Sequence, residues 1–160
     1  MTNQADVIIV GAGIIGCAAS YYLAKKGFRV IVLEASDHIG DGGSARNGGG
    51  VRQSGRDPRE LPLIIYGVKN LWPNLSEELG MDVEYYQEGN LRLGKTDAHR
   101  KTLEGLTQRA RQGGLDVRMI EGAEAREILP YLSDVVTCAS WFEPDAHANP
   151  LPATSSFPRP

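Results

Sequence analysis

Residues 7–34, VIIVGAGIIGCAASYYLAKKGFRVIVLE, leave few folds open to this chain. Val7 to Val10 are four β-branched residues without a polar break, the pattern of a parallel-sheet strand covered on both faces. Gly11, Gly13 and Gly16 follow with G-x-G-x-x-G spacing. In that arrangement the first glycine allows the tight turn, the second lets the main chain approach a pyrophosphate, and the third lets the next helix pack on the strand. The pattern predicts a helix over 14–26, stopped at Gly27, whose N-terminal amides and dipole favour a diphosphate. A second strand over 29–33 ends at Glu34, 18 residues past Gly16. A carboxylate there can accept hydrogen bonds from both ribose hydroxyls of an adenosine and would repel a 2′-phosphate, which disfavours NADP.

The choice between FAD and NAD falls on the next segment. Residues 40–53, GDGGSARNGGGVRQ, contain six glycines in fourteen positions. Such a loop can turn backbone amides towards a pyrophosphate and a flavin ring, a second cradle that favours FAD. The candidate cofactor contacts are Gly11, Ala12, Gly13, Ile14, Ile15 and Gly16 in the first turn, then Glu34 and Ala35 at the ribose end. Gly43, Ser44, Ala45, Arg46, Asn47, Gly48 and Gly49 complete the set in the second loop. Arg52 is the candidate catalytic residue, because a guanidinium can hold a substrate carboxylate through two parallel hydrogen bonds or face a reduced, anionic ring. A solvated basic loop is the plainer alternative for this arginine.

The rest of the chain reads as mixed helix and strand. Asp57 to Trp72 has helical spacing of apolar residues, with Asp57 as N-cap and Pro58 in the first turn. Trp72 reads as a core anchor. A short helix over 75–79 ends at Gly80. Strands over 83–87 and 91–93, separated by Glu88-Gly89-Asn90, suggest a hairpin. A helix over 98–112, a strand over 117–120 and a short helix over 121–129 follow, the last stopped by Pro130. The net charge of -3 points to no nucleic-acid or membrane surface. No apolar run reaches the roughly 18 residues of a membrane span. Cys17 and Cys138 have no metal spacing and read as free thiols of a reducing, cytoplasmic setting. No residue pattern predicts a metal site.

With those residues in view, positions 6–53 resemble the FAD-binding start of the D-amino-acid oxidase superfamily. QEGNLRLG at 87–94, PYLSD at 130–134 and PDAHANP at 144–150 resemble later landmarks of the same group. The form GSARNGGGVRQ is most similar to the branch of the sarcosine oxidase beta subunit and glycine oxidase. The resemblance implies an α/β fold: a Rossmann-like FAD-binding βαβ unit with part of an α+β substrate domain, truncated relative to the family. It implies the N-terminal part of the FAD domain over 1–80, a partial substrate domain over 81–145, and a return segment with an aberrant proline-rich tail over 146–160. The activity it implies is oxidation of the C–N bond of an amino acid or N-methyl amino acid, with hydride passing to the flavin N5 and an imine as product. It also implies a small amino-acid-type substrate and leaves open partner subunits of a hetero-oligomer. Pro152, Pro158 and Pro160 are expected to exclude a regular helix after Leu151. A truncated, non-catalytic nucleotide-binding fragment is the alternative.

Overall fold

The computed structural model describes residues 4–157. In chain order the elements are β1 (Val7–Val10), α1 (Ile14–Lys25), β2 (Val30–Leu33), β3 (Gly50–Val51), α2 (Leu61–Asn70), a 3-10 turn (Trp72–Asn74) and α3 (Leu75–Leu79). Then come β4 (Asn90–Gly94), α4 (Asp97–Gln112), β5 (Arg118–Glu121), α5 (Gly122–Ile128), β6 (Cys138–Phe142), β7 (Ala146–His147) and α6 (Pro150–Ser155). By their contacts these elements form two compact units. The first takes the described residues of Met1–Gly50, Trp72–Tyr85 and Ala148–Pro160; the second takes Val51–Leu71 and Tyr86–His147.

The first unit is built on the expected βαβ. β1 and β2 run parallel in the register Val7↔Val30 to Val10↔Leu33. Asp6 and Arg29 pin the open end of the pair: the Arg29 amide and guanidinium both donate to the Asp6 carboxylate. Ala12, Cys17, Leu75, Val83, Ala153 and Phe157 form the core, with Tyr21 and Trp72 packed against it. Trp72 stacks on Tyr85 with ring centroids 5.6 Å apart, as expected of a core anchor. Lys25 on α1 reaches Glu78 on α3 at 2.7 Å. The strands are not covered on both faces. Ile8, Val10, Ile31 and Leu33, which share one face by register, are 61%, 85%, 41% and 53% exposed.

The second unit is a three-stranded antiparallel sheet in the order β4-β6-β5. One face packs under α2 and α4 through Leu61, Ala110, Leu115, Val117 and Phe142. The other packs under α5 through Ile120, Ala125 and Ala139, with Leu91 and Trp141 alongside. Thr96 caps α4 by accepting the His99 amide at 3.2 Å.

Three further expectations are corrected. The helix expected from Asp57 starts at Leu61, because the Asp57 carboxylate folds back onto the Arg59 amide and guanidinium and closes a turn first. No hairpin joins 83–87 to 91–93: Glu84 sits at φ +50 and Tyr86 makes only a single antiparallel bridge, to His147. The partner of β4 is instead β6, in the register Asn90↔Phe142 to Gly94↔Cys138, a strand that no sequence pattern announced. Finally, residues 150–155 are helical despite their prolines. Pro150 and Pro152 lie in the first turn, where no amide is needed, and the Asn149 side chain accepts the Leu151 amide at 3.1 Å. Pro158 and Pro160 lie outside the described residues.

Candidate functional site

The glycine turn is closed by contacts that only bare backbone permits. A Cβ at Gly16 would collide with the Gly11 carbonyl, so α1 approaches the end of β1 only because position 16 has no side chain. Gly11 has φ +98 and donates its amide to the Leu33 carbonyl at 2.7 Å, tying the turn to the end of β2. The first-turn amides of a helix have no intrahelical acceptor. Among them, Ile14 donates to Ser44 Oγ at 2.9 Å. Ile15 holds its side chain 84% exposed.

Glu34 ends β2 at this turn. Its carboxylate accepts the amides of Ala12 at 2.6 Å, Ala35 at 2.8 Å and Ser36 at 2.9 Å. The Ser36 and Ala12 amides hold its pKa below the ordinary value. The acid is therefore ionised and exposed, and one lone-pair site of its two oxygens remains for a ligand hydroxyl.

The loop over 40–49 is seated on the same turn. The Gly40 amide donates to the Ala12 carbonyl at 2.8 Å, and the Ala45 amide donates to the Gly40 carbonyl at 2.9 Å. The Asn47 side chain donates to the carbonyls of Gly43 and Ser44 and accepts the Gly49 amide. Ser44 and Asn47 thus hold the loop's shape with their side chains. What the loop offers a ligand is chiefly main chain: Cβ atoms at Gly42, Gly43 and Gly48 would meet open space. Arg46 is exposed, 3.8 Å from Asp41. The structure so brings Gly11, Ala12, Gly13, Ile14, Ile15, Gly16, Glu34, Ala35 and the 43–49 loop together within the first unit. This glycine turn and loop, ending in an ionised acid, fit a dinucleotide's pyrophosphate and ribose.

Arg52 belongs to the second unit. It is exposed, and among the described residues it makes no hydrogen bond or ion pair. A cavity of about 310 Å³ in that unit has walls that include Gln53, Val68, Gln87, Leu115 and Phe142, and Arg52 does not line it. Sequence reasoning missed two groups here. The amide of Gly40 gave no signal beyond its place in a glycine-rich stretch. Asp145, fully buried, stood in the PDAHANP stretch, but its partners lie some ninety residues away. Among the described residues no group of His, Cys, Asp and Glu side chains could hold a metal ion.

Residues 6–157 match the family of FAD dependent oxidoreductases (DAO). The chain belongs to that family. FAD is the family's cofactor, as the double cradle anticipated. The sarcosine oxidase subunit beta of Rhizobium meliloti is 33% identical over 79% of this chain and 30% of its own length. The crystal structure of L-proline dehydrogenase from P. horikoshii matches with a TM-score of 0.84 and 33% identity, over 98% of this chain and 41% of that one. Glycine oxidase from Geobacillus kaustophilus matches with a TM-score of 0.88 and 27% identity, over 98% of this chain and 44% of that one. This FAD-dependent oxidoreductase chain therefore spans less than half the length of these relatives. The match reaches through α6 to Phe157.

Proposed function

We propose that this chain supplies the dinucleotide cradle, and part of the substrate side, of an FAD-dependent oxidoreductase that oxidises the C–N bond of an amino acid or N-methyl amino acid. The observation that carries this is the turn at 11–16, closed on backbone at Gly16 and joined by Glu34 and by the Gly40 amide. Gly11, Ala12, Gly13, Ile14, Ile15 and Gly16 present main chain to the pyrophosphate. Glu34 and Ala35 hold the ribose of the adenosine. Residues 43–49 present the second set of amides, with Arg46 adding positive charge at their rim. Arg52 holds the substrate carboxylate. Bound FAD supplies the electron-accepting chemistry.

The relatives' names support a substrate among small amino acids: a sarcosine oxidase subunit, a proline dehydrogenase and a glycine oxidase. The subunit designation of the Rhizobium meliloti protein supports a hetero-oligomer. Buried, unpaired Cys17 and Cys138 support a reducing compartment such as the cytoplasm. No helix among the described residues is long and apolar enough to cross a membrane. A second reading, a nucleotide-binding segment without turnover, draws support from the exposed face of β1 and β2.

Titration of the purified chain with FAD, followed by flavin fluorescence and absorbance, separates the readings. We expect saturable binding that Glu34→Ala weakens by about tenfold, the loss of charge-assisted hydrogen bonds. Gly16→Ala abolishes it by pushing α1 off the turn. Equal retention of FAD by the parent and both variants overturns the cradle. Bleaching of the bound flavin by sarcosine, glycine or proline establishes turnover, and binding without bleaching favours the second reading.

A further inference from the structure

Removing a carboxylate from water is costly unless hydrogen bonds replace its hydration. Asp145 has no exposed surface, and among the described residues it forms no ion pair. Its partners all come from one distant turn. Oδ1 accepts the amides of Gln53 at 2.6 Å and Ser54 at 3.2 Å, and Oδ2 accepts the Ser54 hydroxyl. The same turn is held at three further points. Gln53 Nε2 donates to the Pro144 carbonyl at 3.0 Å, and Arg92 Nη2 donates to the Ser54 carbonyl at 2.7 Å. Gly55, at φ +67, lies so close on the Arg92 guanidinium that a Cβ would collide with it. The acceptor side is itself fixed, since the Gly89 amide donates to the Asp145 carbonyl and Gln87 Nε2 donates to the Pro144 carbonyl, each at 2.9 Å.

These bonds secure residues 53–55 and stop there. The next residue towards the N-terminus is Arg52, exposed and without an intramolecular partner among the described residues. It stands in a locally positive setting. Burial, then the charge of Arg52, then that of Arg56 lower the pKa of Arg92, against a raising effect of Asp145. The lone pairs of the buried Asp145 carboxylate face the turn's amides and hydroxyl.

We propose that Asp145 is a positioning residue: by fixing the backbone of Gln53 and Ser54 from across the fold, it holds Arg52 unpaired and available for a carboxylate ligand. The proposal rests on the assignment of Arg52 to the substrate carboxylate given above. Asp145 touches neither ligand nor cofactor; it acts through the turn.

The test is NMR on the full chain, with sodium acetate as the carboxylate probe. The Arg52 Nε–H resonance is assigned by its loss in Arg52→Lys and followed through the titration, together with amide exchange at Gln53 and Ser54. In the parent chain acetate should shift the Arg52 signal. Asp145→Ala should raise exchange at both amides about tenfold and weaken acetate about fivefold, leaving the amide signals of β4, β5 and β6 in place. Asp145→Asn keeps the Oδ1 acceptor and should restore most of both effects, whereas Asp145→Leu, which fills the space without an acceptor, should not. Should Asp145→Ala fail to fold, Ser54→Ala removes only the hydroxyl donor and should give an intermediate loss. Acetate affinity unchanged in Asp145→Ala, or in Ser54→Ala where that variant stands in for it, overturns the positioning role alone. If acetate leaves Arg52 unmoved in the parent chain, the substrate assignment of Arg52 fails first and the positioning role falls with it.

Discussion

Asp6 shows how a single exposed pair can be tested through pH. The Arg29 side chain, and then its amide, hold the Asp6 carboxyl at about 2, below the ordinary 3.8. A carboxyl depressed in the folded state contributes stability above its unfolded pKa and loses it as pH falls through the folded value. Thermal melts of the parent and Asp6→Asn should therefore differ by a constant amount above pH 3.8, and the gap should close between 3.8 and about 2. A gap that persists below pH 2 would mean that the residue acts through backbone geometry instead of charge. At this scale the sequence was legible wherever a residue's role is local. Gly16 announces a close approach and Glu34 marks a strand end, and both stand where the spacing put them. It was not legible where a side chain serves a distant turn. Nothing within five residues of Asp145 hints at Gln53, and nothing around Asn47 shows that its amide group folds its own loop.

Among the elements, α6 is the one whose existence the prolines seemed to forbid. Its first turn tolerates Pro150 and Pro152 because Asn149 provides the cap, and the helix then delivers Ala153 and Phe157 to the core of the first unit. Tyr21 meets Phe157 edge-on at 5.8 Å. Asn149→Ala should destabilise the chain by about 1 kcal/mol in urea denaturation, the usual effect of losing a side-chain cap. A change within error would show that α6 is held by Phe157 alone. The helices were readable because their apolar spacing is periodic, as over 97–112. β6 was not, because CASWF is short, shows no alternation and is buried on both faces by partners far along the chain. The supposed hairpin failed for the complementary reason: local turn chemistry at Gly89 outweighed, on paper, a pairing that is settled 48 residues away.

For the molecule as a whole, the face made by Ile8, Val10, Ile31 and Leu33 governs behaviour in solution. Contiguous exposed apolar residues on an open two-stranded sheet favour self-association. Light scattering should show a mass that rises with concentration for the parent chain. The double substitution Val10→Lys and Leu33→Lys should return it to a monomer without altering the far-ultraviolet circular dichroism. A parent chain that is monomeric at every concentration would refute this. The interleaving of the two units has a separate consequence. The first unit draws on three stretches, the last of them beginning at Ala148. On the ribosome, then, the glycine turn is translated early, but the core of its unit is completed only when Ala153 and Phe157 emerge from the exit tunnel, after the segments of the other unit have passed through.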